Sequence, residues 1–152
     1  MKIGEALSKL KKEKGRLARL ILLRKENVYV EQGKKTKFIP KELSKEIDQK
    51  VEDIRKLKIE IQKANLNTVV NGENISLAEA IIKVKDIRST LAHLSDLFEK
   101  KHSYLFRDKD KEEMIAQLDE LEVEDEIERL EIQKVQLDNK IQMANWTTKL
   151  ED

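Results

Sequence analysis

Two short polar runs stand where the helical patterning of the chain stops: Asn65-Leu66-Asn67-Thr68 and Asn145-Trp146-Thr147-Thr148. Side-chain amides and hydroxyls of this kind hydrogen-bond small polar ligands, and an indole adds a stacking face. Glu5 and Glu79 stand near the starts of two helices. The positive end of a helix favours an anion. Asn65, Asn67, Thr68, Asn145, Trp146, Thr147, Thr148, Glu5 and Glu79 therefore form one candidate ligand-binding set. The same residue types also serve helix ends, where four backbone groups lack partners. In that alternative Asn65 and Asn145 end their helices in a left-handed conformation. Asn67, Thr147 and Thr148 then cap backbone groups, and Trp146 covers the core.

Other chemistry finds less support. His93 and His102 are the only histidines. Nine residues apart on one helix, they point to opposite sides and cannot share a metal. Glu99-Lys-Lys-His102 fits the Glu-x-x-His spacing once, whereas a di-metal bundle site needs it twice. The acids from Asp119 to Glu131 read as a solvated or ion-paired face. There is no cysteine, no nucleophile elbow and no phosphate-binding glycine loop. No enzyme activity, cofactor or metal is expected.

Lysine and arginine cluster on the first helix (Lys9, Lys11, Lys12, Lys14, Arg16, Arg19, Arg24, Lys25) and at Lys34, Lys35 and Lys37. Phosphate backbones reward such clusters. However, Glu13 and Glu26 interrupt the run, and stacking aromatics are scarce. Residues 1–74 carry 19 Lys+Arg and 11 Asp+Glu, net +8; residues 75–152 carry 12 and 19, net −7. The acidic fourth helix is thus a ready partner for the basic first one, within or between subunits, and nucleic acid is disfavoured.

The 152 residues are 40% charged and 4% aromatic, with one proline and four glycines. That is the composition of long amphipathic helices. The longest aliphatic run is Leu20-Ile21-Leu22-Leu23. A membrane span needs about 20 apolar residues, so no membrane partner is expected. The first residues carry Glu5 and no small-residue cleavage site, so no signal peptide and a cytoplasmic location are expected.

Four helices position the polar runs. The first covers about Ile3 to Asn27, with Ile3, Leu7, Leu10, Leu17 and Ile21 as its apolar stripe and Lys14 in one slot. The second follows Pro40, with Leu43, Ile47, Lys50, Ile54, Leu57, Ile61 and Ala64 in heptad register. The third opens on a Ser76/Glu79 capping box and carries Leu77, Ala80, Val84, Ile87, Leu91, Leu94 and Phe98. The fourth covers about Lys111 to Ala144. Its stripe (Met114, Leu118, Leu121, then Ile127, Leu130, Leu137, Ile141) changes phase near Glu124, which predicts an irregularity or a change of packing partner. Between the helices, the alternation from Val28 to Ile39 around Gln32-Gly33-Lys34 predicts a short β-hairpin. Asn67 to Ile75 reads as a turn, and Ser103 to Asp110 as a polar tip.

The chain also resembles itself. Residues 3–20 aligned without gaps on 77–94 give seven identities, and Ile61-Gln-Lys-Ala-Asn-Leu-Asn-Thr68 parallels Ile141-Gln-Met-Ala-Asn-Trp-Thr-Thr148. The expectation is a single all-α helical domain over 1–152 with an internal repeat, 1–68 and 75–148. It would be an elongated four-helix, up-down-up-down bundle of two tandem hairpins with coiled-coil-like packing. The starts of helices one and three and the ends of helices two and four meet at one end, where the candidate set collects.

The opening Ile-Gly-Glu-Ala-Leu, the middle Asn65-Leu-Asn-Thr followed by Gly72 and Leu-Ala-Glu-Ala, and the closing Asn145-Trp-Thr-Thr-Lys-Leu resemble a small family of uncharacterised bacterial helical proteins sometimes labelled septicolysin. The basic segment from Tyr29 to Phe38 departs from the more acidic linker of that family. The resemblance implies a helical fold. Its label implies a pore former, although the sequence holds no membrane-inserting segment.

Long thin bundles bury little surface per residue, and pairing with a second copy would bury more. The functional expectation is therefore a structural or protein-interaction bundle that self-associates as a homo-oligomer, its long helices also offering a surface to another protein. The alternatives are an anion- or ligand-binding module at the Asn/Thr/Trp end and weak nucleic-acid binding through the basic half.

Overall fold

The computed structural model describes residues 1–99 and 114–151. Four helices form it: α1 (Ile3–Glu26), α2 (Pro40–Asn67), α3 (Leu77–Asp96) and α4 (Glu120–Thr147). Helix α1 packs most extensively on α2, and α3 on α4; α1–α4 and α2–α3 contacts are smaller. The fold is an all-α four-helix bundle with up-down-up-down order.

The α2 and α3 seams follow the sequence pattern. Leu43, Ile47, Ile54, Leu57, Ile61 and Ala64 are buried on α2, and Leu77, Ala80, Val84, Ile87 and Leu91 on α3. The α1 stripe runs differently from expectation. Ile3, Ala6 and Glu13 are buried and Leu10, Leu17 and Leu20 partly so, whereas Leu7, Lys14 and Ile21 are exposed. The cause lies on α2. Lys50 Nζ donates to Glu13 Oε2 at 2.6 Å, and Arg16 donates to Glu13 Oε1 at 2.8 Å. A carboxylate with two such partners can occupy an inward slot.

Helix α4 begins at Glu120, later than expected. Asp119 Oδ1 accepts the Leu121 N–H at 2.9 Å, an N-cap that sets the start. Met114 and Leu118 precede the helix and are exposed, as is Leu121; Val123 takes the inward position. From Val123 through Ile127, Leu130, Leu137 and Ile141 the inward series is regular. The expected phase change arose from counting residues outside the helix. Lys111 and the polar tip from Ser103 to Asp110 lie outside the described residues.

The segment from Val28 to Ile39 forms no hairpin strands. It turns where Lys34 N–H donates to Glu31 O at 3.0 Å, with Gly33 at φ +83°. Val28, Tyr29 and Val30 are exposed. With no layer among the described residues to cover its apolar side, a lone two-stranded ribbon gains too little to form. The second connection is tighter: Val70 N–H donates to Ile75 O at 2.9 Å across a turn with Gly72 at φ +77°.

The apolar core concentrates at the end of the bundle where the chain passes between hairpins. Ile3, Ala64, Val70, Leu77, Ala80, Val84, Leu137, Ile141 and Ala144 form one buried cluster there. Backbone hydrogen bonds tie this end together twice over. Leu77 N–H donates to Thr68 O at 2.7 Å, and Ile3 N–H to Thr148 O at 3.0 Å. Val69 bridges Ser76, and Lys149 bridges Lys2. Leu150 N–H also donates to Met1 O at 2.8 Å, matching the Val70–Ile75 bond. The final residues thus close onto the first helix as the α2–α3 connection closes onto the third.

Candidate functional site

The candidate residues do collect at this tied end. Helix α1 begins with Glu5 Oε2 accepting the Lys2 backbone N–H at 2.7 Å. Helix α3 begins with Ser76 Oγ accepting the Glu79 N–H at 3.1 Å. Each start therefore carries one half of the capping box that the sequence predicted at Ser76. Both glutamates are otherwise exposed. The first N–H of α1 and of α3 is taken by the Thr148 or Thr68 carbonyl, so these donors face backbone oxygen where an anion was expected.

Asn65 and Asn145 do not end their helices. Helices α2 and α4 continue to Asn67 and Thr147, and the capping residues Thr68 and Thr148 are extended, with φ −86° and −80°. The threonine hydroxyls turn back onto their own helices: Thr68 Oγ1 donates to Ala64 O at 2.7 Å, and Thr147 Oγ1 to Met143 O at 2.9 Å. Ala64 O already accepts the Thr68 backbone N–H, so the Thr68 hydroxyl adds a second bond to it; of the residues in the capping alternative, Thr147 makes such a bond. Asn67 is exposed.

Asn145 is 93% buried, and its Oδ1, like that of Asn65, is enclosed without a hydrogen-bond partner. Such oxygens are uncommon in folded interiors and destabilise by about 1–3 kcal/mol each. Both invite a donor. Next to Asn145 in the chain, Trp146 lies across Gly4. A Cβ built on Gly4 would stand 2.9 Å from Cδ2 and 3.0 Å from Cε2 and Cε3 of the indole. These three atoms are neighbours on the ring, so the helix backbone meets the indole face-on. Trp146 nevertheless remains 52% exposed. It covers Gly4.

A shallow groove adjoins this end, lined by Thr68, Asn71, Lys140, Met143, Thr147 and Thr148. Lys140 is held there by Glu73. The Lys140 ammonium keeps the Glu73 carboxyl below the usual carboxylate range, first through its hydrogen bond and then through its charge. Glu13 is lowered in the same way, chiefly by the hydrogen bond from Lys50. The sequence reading missed both pairs, because each joins residues far apart in the chain. Lys50 as the odd polar member of the α2 heptad was the available signal for one of them.

Among the described residues, the metal-type side chains do not assemble. His93 is exposed, and His102 lies outside the described residues. Among the described residues, no three histidine, aspartate or glutamate side chains converge as a metal site would require. Nor does any helix there reach the length and apolarity needed to cross a membrane. Among the ion pairs seen between described residues, none joins α1 to α4 as expected. Among the described residues, the ion pairs joining separate elements are Glu13–Lys50, Arg88–Asp138 and Glu73–Lys140.

The architecture recurs in a crystal structure of a functionally unknown conserved protein from Corynebacterium diphtheriae, with a TM-score of 0.83, 24% identity and 99% of each chain covered. At that identity the likeness shows the fold. No functionally curated protein matches the sequence. A family model matches residues 9–150, nearly the whole bundle from the first turns of α1 to the strap beyond α4. The chain belongs to that family, DUF6847, a family of unknown function.

Proposed function

We propose that this protein is a non-enzymatic, cytoplasmic helical bundle that works by associating with itself. One observation carries the reading: large apolar side chains lie bare along the outer parts of the helices. Ile21 and Leu22 on α1, Ile59 on α2, Ile82 on α3 and Ile132 and Val135 on α4 are all exposed. Burying such surface yields about 25 cal/mol per Å², and a second copy offers the same apolar side chains. Light scattering after size exclusion tests this. A stable mass above that of the 17.8 kDa chain supports it, and a monomer at low and high salt overturns it. Pore formation, which the septicolysin label implies, is no part of this reading.

A second reading rests on the enclosed oxygens of Asn65 and Asn145. Carbonyl oxygens accept hydrogen bonds, so the ligand they suit is a donor, such as an ammonium or primary amine. The anion expected from the helix starts suits them less. Titrating Trp146 fluorescence with ammonium, methylamine and phosphate tests this second reading. A saturable change with the amines alone supports it, and no change with any of them removes it.

A further inference from the structure

The face of α1 that receives Trp146 continues up the helix and is left bare. At about 100° per residue, Gly4, Lys11, Gly15, Ala18, Leu22 and Lys25 fall within roughly 80° of arc. Gly4, at the base, is buried beneath the indole. Gly15, three turns higher on the same face, has no atom beyond its own stretch of helix within 4 Å of the position its Cβ would take. Lys11, Ala18, Leu22 and Lys25 are likewise exposed. The face of α4 that carries Trp146 behaves in parallel. By the same spacing, Glu124, Glu128, Glu131 and Val135 lie within roughly 80° of Trp146, and all four are exposed.

The two faces meet where the indole of Trp146 lies on Gly4. Above that contact one is small, apolar and basic, and the other is acidic around a central valine. Among the described residues, none of Lys11, Lys25, Glu124, Glu128 and Glu131 enters an ion pair. Each helix is meanwhile committed to its own hairpin, α1 through Glu13–Lys50 and α4 through Arg88–Asp138. The backbone bonds at the base hold the start of α1 to the end of α4.

We propose that the occupant of these faces is a second copy of this chain. The Gly15–Leu22 face of α1 in one protomer lies on the Glu124–Val135 face of α4 in the other, and the reverse contact is made about a twofold axis. Gly15 and Ala18 let the helices approach closely, Leu22 and Val135 supply the apolar contact, and the lysines and glutamates set partner and register. The inference rests on the self-association reading and names its surface.

Charge reversal tests it on the full chain. One variant carries Lys11→Glu and Lys25→Glu; the other carries Glu128→Lys and Glu131→Lys. All four positions are exposed, and circular dichroism checks that helix content is kept. The wild type is expected to be dimeric at low salt, with weaker association at high salt. Each variant alone is expected to be monomeric. An equimolar mixture of the two is expected to recover a one-to-one dimer, because both contacts then again join opposite charges. A wild-type monomer at both salts overturns this inference together with self-association. A wild-type dimer whose variants remain dimeric alone overturns the assigned faces and leaves self-association standing.

Discussion

Two glycines on one face of α1 respond in opposite directions to the same substitution. Gly15 is inside the helix, and its Cβ position is open. Gly15→Ala adds no contact and removes backbone freedom from the unfolded chain, so it stabilises by about 0.5–1 kcal/mol. Gly4 is in the first turn, where the intrinsic helix gain is smaller. Its Cβ would sit 2.9 Å from the Trp146 ring, about 0.5–1 Å closer than carbon atoms settle. The indole must be pushed off the helix, and forced overpacking costs about 1–3 kcal/mol. The net expectation for Gly4→Ala is a loss of about 1–2 kcal/mol. For a domain of this length, 1 kcal/mol moves the melting temperature by about 2–4 °C. Gly15→Ala should therefore raise Tm by about 1–4 °C, and Gly4→Ala lower it by about 2–8 °C. Melting is followed by circular dichroism in high salt and at low protein concentration, so that association contributes little to either variant. Trp146 is the only tryptophan, and its emission should change in Gly4→Ala and hold in Gly15→Ala. Two equal rises in Tm with unchanged emission would refute the seating of the indole on Gly4.

Leu77→Ala removes a fully buried side chain from the shared core and should cost about 2–5 kcal/mol in urea unfolding. Leu7→Ala, on the open side of α1, should cost less than about 1 kcal/mol; comparable losses would restore the Leu7 stripe. Glu13 and Glu73 have lowered pKa values in the fold. Their contribution is thus present above the unfolded carboxyl pKa and is lost as pH falls through the folded values. Acid titration of stability should show this loss below about pH 4.5, and Glu13→Gln with Glu73→Gln should flatten the curve there. On the alignment of residues 3–20 with 77–94, Glu13 corresponds to Ile87; on the offset of the second match, Lys50 corresponds to Leu130. Glu13→Ile alone should destabilise by stranding Lys50, while Glu13→Ile with Lys50→Leu should match or exceed wild-type stability in thermal melts. A double variant less stable than the wild type would show that the ion pair is worth more than apolar packing.

Much of the architecture was legible in the residues because it depends on local chemistry. Pro40 opens α2, the Ser76 hydroxyl caps α3, and Gly72 takes the left-handed turn between them. The α2 and α3 seams are legible because apolar residues occupy one heptad register and charged residues the others. The first stripe was not legible. Ile3, Leu7, Leu10, Leu17 and Ile21 make as good an amphipathic face as Ile3, Ala6, Leu10, Glu13, Leu17 and Leu20. What decides between them is Lys50 on another helix, which gives Glu13 its partner. The β-hairpin over Val28–Ile39 failed for a related reason: alternation describes a strand only if a layer exists to cover one of its sides.

The candidate site divides along the same line. Sequence alone located the Asn/Thr/Trp runs at the ends of two helices and, through the up-down-up-down order, brought them to one end of the bundle. That much follows from helix length and short connections. Which atoms are satisfied there is a tertiary matter. The Thr148 and Thr68 carbonyls take the first N–H groups of α1 and α3, the Asn145 and Asn65 oxygens are left enclosed, and Gly4 receives the indole of Trp146. Each of these depends on the distance between two helices brought together by the fold. A periodicity read along one helix carries no information about that distance.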